Sequence, residues 1–373
     1  MPPAIIGGMH GFVFTRFIIS RPATDPAVDC PRGMSTSLRD SFIALLPPED
    51  REKAQAVTEL GRVAQMMLAT DDPRKGLKLP TDPPSAHRGK DDPLNPFTTT
   101  AHTICNNPAD YGYVGFQTIA HSGQAIGMNL DGTADGAATA TTCGHKKFTG
   151  IDGTQAVDNQ LWRALGCIAV YRAGGLDWDS SIHTGDWAIL MEVSTPKGGG
   201  PDGDVDVTLS SSKDGVSLGA DGRIQPGLSL DAIDDPALTA KTHGRIEHGV
   251  LTTDPVDFTF KYDNQIIHNR WSFEAARFRL EMLPDGSLKG RMGAYADVDK
   301  YYNYTIRPQT IQGTISNKID CPGLYAAMRS LADGDRNATT GQCSALSASF
   351  DVEAIPAFVI HPQRTAEAAK AAR

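Results

Sequence analysis

Residues 276–292 read ARFRLEMLPDGSLKGRM. Phe278, Leu280 and Met282 alternate with Arg277, Arg279, Glu281 and Leu283, the two-residue period of a half-buried strand. Pro284-Asp285-Gly286-Ser287 then supplies turn chemistry, and LKGRM over 288–292 alternates again. The stretch therefore predicts an antiparallel hairpin. Working outward, VDFTFKY at 256–262 and the segment 265–273 read as preceding strands, and residues 345–360 return to strand-like apolar composition around Pro356. WAILMEV at 187–193 suits a fully buried strand, and DVDVTLS at 204–210 suits a strand with one wet face. Near the start, GFVFTRFIIS at 11–20 shows a partial alternation and reads as a strand too.

Helical signals are fewer. Ser37 can cap a helix over 38–46, and Pro48 can open one over 49–69 with Glu49, Asp50 and Glu52 in its first turn. Asp158 or Asn159 can cap a short helix over 160–165 that Gly166 ends, and residues 323–331 form another. Residues 114–119 and 168–171 read as further strands, and 71–100 as one long Pro- and Asp-rich loop. The fold class expected is mainly β: a sandwich or jelly-roll core over 111–362, a helical, loop-rich portion over 1–110 packed on it, and an exposed tail over 363–373.

The composition narrows the function. With 37 Gly and 24 Pro in 373 residues, turns should be abundant and long helices few. A net charge of −9 and a pI of about 5.5 argue against a nucleic-acid partner, which needs a basic face. No apolar run approaches the ~20 residues of a membrane span. G-x-S-x-G, H-E-x-x-H, the P-loop and the dinucleotide fingerprint are all missing, which lowers the expectation of a lipase-type hydrolase, zincin, kinase or dehydrogenase.

Cys30, Cys105, Cys143, Cys167, Cys321 and Cys343 make an even count with no zinc-type spacing. Sequence proximity points to Cys30–Cys105, Cys143–Cys167 and Cys321–Cys343, out of the 15 pairings open to six cysteines. Disulfides imply a periplasmic or extracellular location, and six free thiols would imply the cytosol. MPPAIIGG at the start lacks a basic and apolar leader, so the expectation is that a signal peptide has been removed. Asn303-Tyr304-Thr305 and Asn337-Ala338-Thr339 match the glycosylation sequon, which has meaning only in a secretory eukaryotic setting.

The candidate site lies in residues 127–167. Asn129, Asp131, Asp135, Asp152 and Asp158 stand in Gly-punctuated loops and offer the oxygen ligands that calcium takes. The same residues also serve plain turn formation, and both readings stay open. Arg163 is either a counter-charge to this loop or a solvated cation. His102, His121 and His145 lie near enough in sequence for a transition metal or a general base. The pairs Asp177/Asp179 and Asp297/Asp299, the trio Asp202/Asp204/Asp206, and Tyr295, Tyr301, Tyr302 and Tyr304 suit a glycan site or ordinary strand faces.

The run DNQLWRALGC at 158–167, with CPRG at 30–33 and the segment 333–343, resembles uncharacterised exported proteins of proteobacteria. That resemblance implies export and a shared fold, and carries over no activity and no catalytic residue. The leading expectation is an exported, disulfide-stabilised binding or structural protein, with calcium in the loop and an unknown small molecule, glycan or protein as ligand. A hydrolase or lyase acting on a polymer or glycan through central Asp and His residues, or a subunit of a periplasmic or cell-surface assembly, are the alternatives.

Overall fold

The computed structural model describes residues 8–80, 103–174, 179–185, 187–263, 268–307 and 311–361. Most of the loop expected over 71–100, together with His87, His102, Asp177 and the tail, lies outside the described residues. The strands are β1 (Met9–Ile19), β2 (Gln124–Ala125), β3 (Thr149–Gly150), β4 (Ala188–Ser194), β5 (Gly203–Ser212), β6 (Ser229–Asp231) and β7 (Thr239–Glu247). They continue with β8 (Val250–Thr253), β9 (Val256–Asp263), β10 (His268–Met282), β11 (Leu288–Asp297), β12 (Gly334–Arg336), β13 (Cys343–Pro356) and β14 (Phe358–Ile360).

The protein is mainly β, organised on one antiparallel sheet of ten strands. Its hydrogen-bonded order is β1-β4-β5-β7-β8-β10-β11-β13-β12, with β9 joined to β10. β1 also pairs with β13, so the path from β1 through β13 returns to its start. Closure leaves the strands of the ring with partners on both sides and removes the edges that invite aggregation. It also places β1, from the portion read as helical and loop-rich, within the ring between β4 and β13.

The partial alternation of β1 has a structural cause. Phe12 and Phe14 face the main core while Val13 faces a smaller cluster with Ala188, Leu190 and Leu230. The register with β13 then shifts between Phe14 and Arg16, and Phe17 and Ile19 return to the main core. One extra residue at such a bulge restores the inward parity that strict alternation would lose. Phe17 stacks on Phe350 with ring centroids 4.8 Å apart, and meets Phe260 and Phe273 edge-on.

The hairpin forms as its residues dictate. Phe278 pairs with Met292 and Met282 with Leu288, and the Leu283 N–H closes the turn on the Ser287 carbonyl at 2.8 Å. The two strands expected over 265–273 and 276–283 are one bent strand, β10, whose register shifts between Phe273 and Ala276. β9 pairs with its first half and β8 with its second.

Other expectations need correction. The helix over 49–69 is two helices, Pro48–Gln55 and Leu60–Ala69. The break falls at the β-branched pair Val57-Thr58, weak helix formers, with Val57 packed against the core. Residues 114–119 form no strand, and of 168–171 Ile168 precedes and the rest open a helix, Ala169–Ala173, ended by left-handed Gly174. A short apolar run does not distinguish a strand from a buried helical turn.

All six cysteines are oxidised, and the proximity pairing is wrong throughout. The bridges are Cys30–Cys167, Cys105–Cys321 and Cys143–Cys343. In chain order the first cysteine joins the fourth, the second the fifth and the third the sixth. Each spans 137 to 216 residues, because ring closure brings the two ends of the chain against its middle. In the chain-entropy model a loop of that length stabilises by about 5 kcal/mol when taken alone.

Candidate functional site

The acidic loop folds back on itself beside the sheet. Met128 bridges to Asp158 and Phe148 to Val157, and β2 runs parallel to β3. Asn159 caps the helix Gln160–Leu165 through the Trp162 N–H, leaving Asp158 free to turn into the loop. Asp158 Oδ2 accepts the Leu130 N–H at 2.7 Å, which fixes the loop to the start of the helix. Gly136 has φ +75°, and a Cβ there would stand 1.9 Å from the His145 carbonyl oxygen, so this close crossing requires glycine.

Five ionisable side chains converge. Lys147 Nζ donates to Asp158 Oδ1 at 2.5 Å, to Asp131 Oδ1 at 2.6 Å and to Asn129 Oδ1 at 3.3 Å. His145 Nε2 lies 2.6 Å from the same Asp158 Oδ1 and 3.6 Å from Asp333 Oδ2, and its Nδ1 lies 3.1 Å from the Cys143 carbonyl. Lys147 and His145 expose 7% of their side chains, and Asp131, Asp158 and Asp333 none. Asp333 follows the helix Cys321–Leu331, and its Oδ1 accepts the Ser347 N–H of β13 at 2.6 Å. Cys143–Cys343 ties this corner to the start of β13, and the Cys143 N–H donates to the Asp333 carbonyl.

Burial and partner charges act against each other here. Burial pushes the Asp333 carboxyl up, to about 6, against the pull of His145 and the Ser347 hydrogen bond. Burial pulls His145 down, but the Asp158 hydrogen bond, the Asp333 charge and the Cys143 carbonyl outweigh it and raise the imidazole. Burial also raises Asp131, yet the Lys147 and Thr133 hydrogen bonds prevail and hold it below the usual carboxylate range.

Arg163 is buried, and its guanidinium donates to the Ile119, Ala120 and Lys146 carbonyls and to Gln160 Oε1 while lying 3.8 Å over the Phe148 ring. It is therefore neither a solvated cation nor a direct counter-charge to the loop. It locks the Lys146 carbonyl and so positions the neighbouring Lys147. Burial lowers its pKa to about 10.

The other candidates separate. Asp135 and Asp152 are exposed, and each accepts the N–H two residues on, the geometry of an Asx turn. Asn129 sits at the rim through Lys147. His121 is exposed and does not group with Asp131, His145 and Asp158. Asp202 and Asp204 bind the His248 N–H and Arg245, and Asp206 binds His243, on a wet face. Asp297 caps the helix Val298–Thr305, and Asp299 accepts the Tyr325 hydroxyl at 2.7 Å. Tyr301 and Tyr302 are buried, so the tyrosines form no open stacking platform.

Lys147 and Asp333 are the residues that sequence reasoning missed. The signal for Lys147 was a basic pair inside an otherwise acidic, Gly-rich stretch. Asp333 stands two residues past the helix read over 323–331, with no signal of a partner. None of the protein-family models, curated proteins or solved structures compared with the chain matches it.

Proposed function

We propose that the chain is an exported binding or structural protein, working in a periplasmic or extracellular space, with its acidic loop as the binding element. The observation that carries the location is that all six cysteines are paired across long stretches of sequence. Bonds of this kind persist in oxidising compartments. Among the described residues no helix is long and apolar enough to cross a membrane, which agrees with this reading. The kinship with exported proteobacterial proteins belongs to the same proposal.

The convergence of Asp131, His145 and Asp158 supports a cation as the ligand, the role that calcium holds in the sequence reading. A glycan-acting hydrolase has less support, because the cluster is closed to solvent and a polymer would have no approach to it. The test of export is to label free thiols at lysis of the host and count the labels by mass on the denatured protein, together with fractionation. The expected result is no reactive thiol and recovery outside the cytoplasm. Six reactive thiols, or a cytoplasmic location, would overturn the reading.

A further inference from the structure

We propose that His145 Nε2 and the carboxylates of Asp158, Asp333 and Asp131 form a site for one divalent transition-metal ion of the Zn²⁺ kind, beside Lys147. The proposal deepens the binding reading of the loop and is independent of export.

Three observations carry it. The ligand atoms of Asp131, His145 and Asp158 all lie within 4.8 Å of one another. Buried polar atoms around them have no hydrogen-bond partner: Asp131 Oδ2, Asp333 Oδ2 and the Tyr295 hydroxyl. Asp333 is fully buried and Tyr295 is 8% exposed, so bulk water does not satisfy them. A buried acceptor left open carries a desolvation penalty, and an ion removes it.

The second is the orientation of His145. A carbonyl can only accept, so the 3.1 Å contact with Cys143 requires a proton on Nδ1. Nε2 then points at two carboxylates, Asp158 and Asp333. A histidine whose far nitrogen donates to a carbonyl is how metal-bound imidazoles are held.

The third is charge and spacing. Within the contacting set three carboxylates face one ammonium, so the set is net acidic once His145 Nε2 gives up its proton, and a dication offsets that charge. A tetrahedral site with bonds of about 2.0–2.1 Å has ligand atoms about 3.3 Å apart. The 3.6 Å separation of Nε2 from Asp333 is close to that value, and the 2.6 Å hydrogen bond from Nε2 to Asp158 would open toward it when an ion replaces the proton. Calcium fits less well, because it takes six to eight oxygens and imidazole favours Zn²⁺ and its neighbours.

The test uses the full-length, oxidised, metal-stripped protein and Zn²⁺, Mn²⁺ and Ca²⁺ salts as separate probes in titration calorimetry. Zn²⁺ should bind at one equivalent and raise the melting temperature. His145→Ala and Asp333→Asn should each weaken it at least tenfold, and Asp152→Asn should not change it. Co²⁺ should give the visible absorption of a tetrahedral nitrogen–oxygen site in the unaltered protein, a readout that needs no variant to fold. Absence of one-equivalent Zn²⁺ binding, binding retained in folded His145→Ala, or Ca²⁺ binding through Asp135 and Asp152 alone would overturn the proposal. Thiol titration on the same sample keeps this outcome separate from the export reading, since a metal failure with three bridges intact leaves export standing.

Discussion

Lys147 Nζ stands 2.5 Å from Asp158 Oδ1, and both side chains are all but closed to solvent. The ammonium also holds Asp131, so one lysine bridges two carboxylates that the backbone forces together. Lys147→Met should lower unfolding free energy by about 3–5 kcal/mol, the loss expected when one partner of a buried pair is removed. Adding Asp131→Asn to Lys147→Met should recover part of that loss. Urea denaturation of the three proteins measures it, and a double variant no better than the single would refute the pairing.

Peptide mapping without reduction should recover Cys30–Cys167, Cys105–Cys321 and Cys143–Cys343 and none of the local pairs. Replacing Cys143 and Cys343 together by serine should cost about 2–5 kcal/mol. It should also loosen the His145–Asp333 corner, seen as faster amide exchange near Asp333.

Asp320 caps the helix Cys321–Leu331 through the Gly323 N–H, but burial raises its carboxyl to about 7 against that bond and a Ser41 hydrogen bond. The folded value lies above the unfolded one, so the native state holds the proton more tightly. This contribution is fully present below the unfolded pKa, near 4, and is lost progressively as pH rises to about 7. Asp320→Asn keeps an acceptor for the cap and should flatten that part of the stability profile. A profile unchanged by the substitution would show that Asp320 titrates normally.

Phe17 is fully buried among four other phenylalanines, and Leu218 is 41% exposed. Phe17→Ala should cost about 3–5 kcal/mol. Leu218→Ala should stay within about 0.5 kcal/mol, as surface changes do. Thermal melts of the two variants would check the contrast, and similar losses would contradict the bulged register that turns Phe17 inward.

The sequence by itself determined the local structure that short-range physics controls. The period-two pattern and Pro-Asp-Gly turn specified the β10–β11 hairpin, and Ser37 specified a helix start. Such signals say which face of a segment is buried and where it turns. They do not say which distant segment it is buried against. Only the tertiary structure decided that β1 lies between β4 and β13, and that closure is what pairs each cysteine with one more than a hundred residues away. Asp333 likewise meets His145 only because β13 and the disulfide at Cys343 carry it there. Charge complementarity acts through space, and chain closure sets which charges share that space.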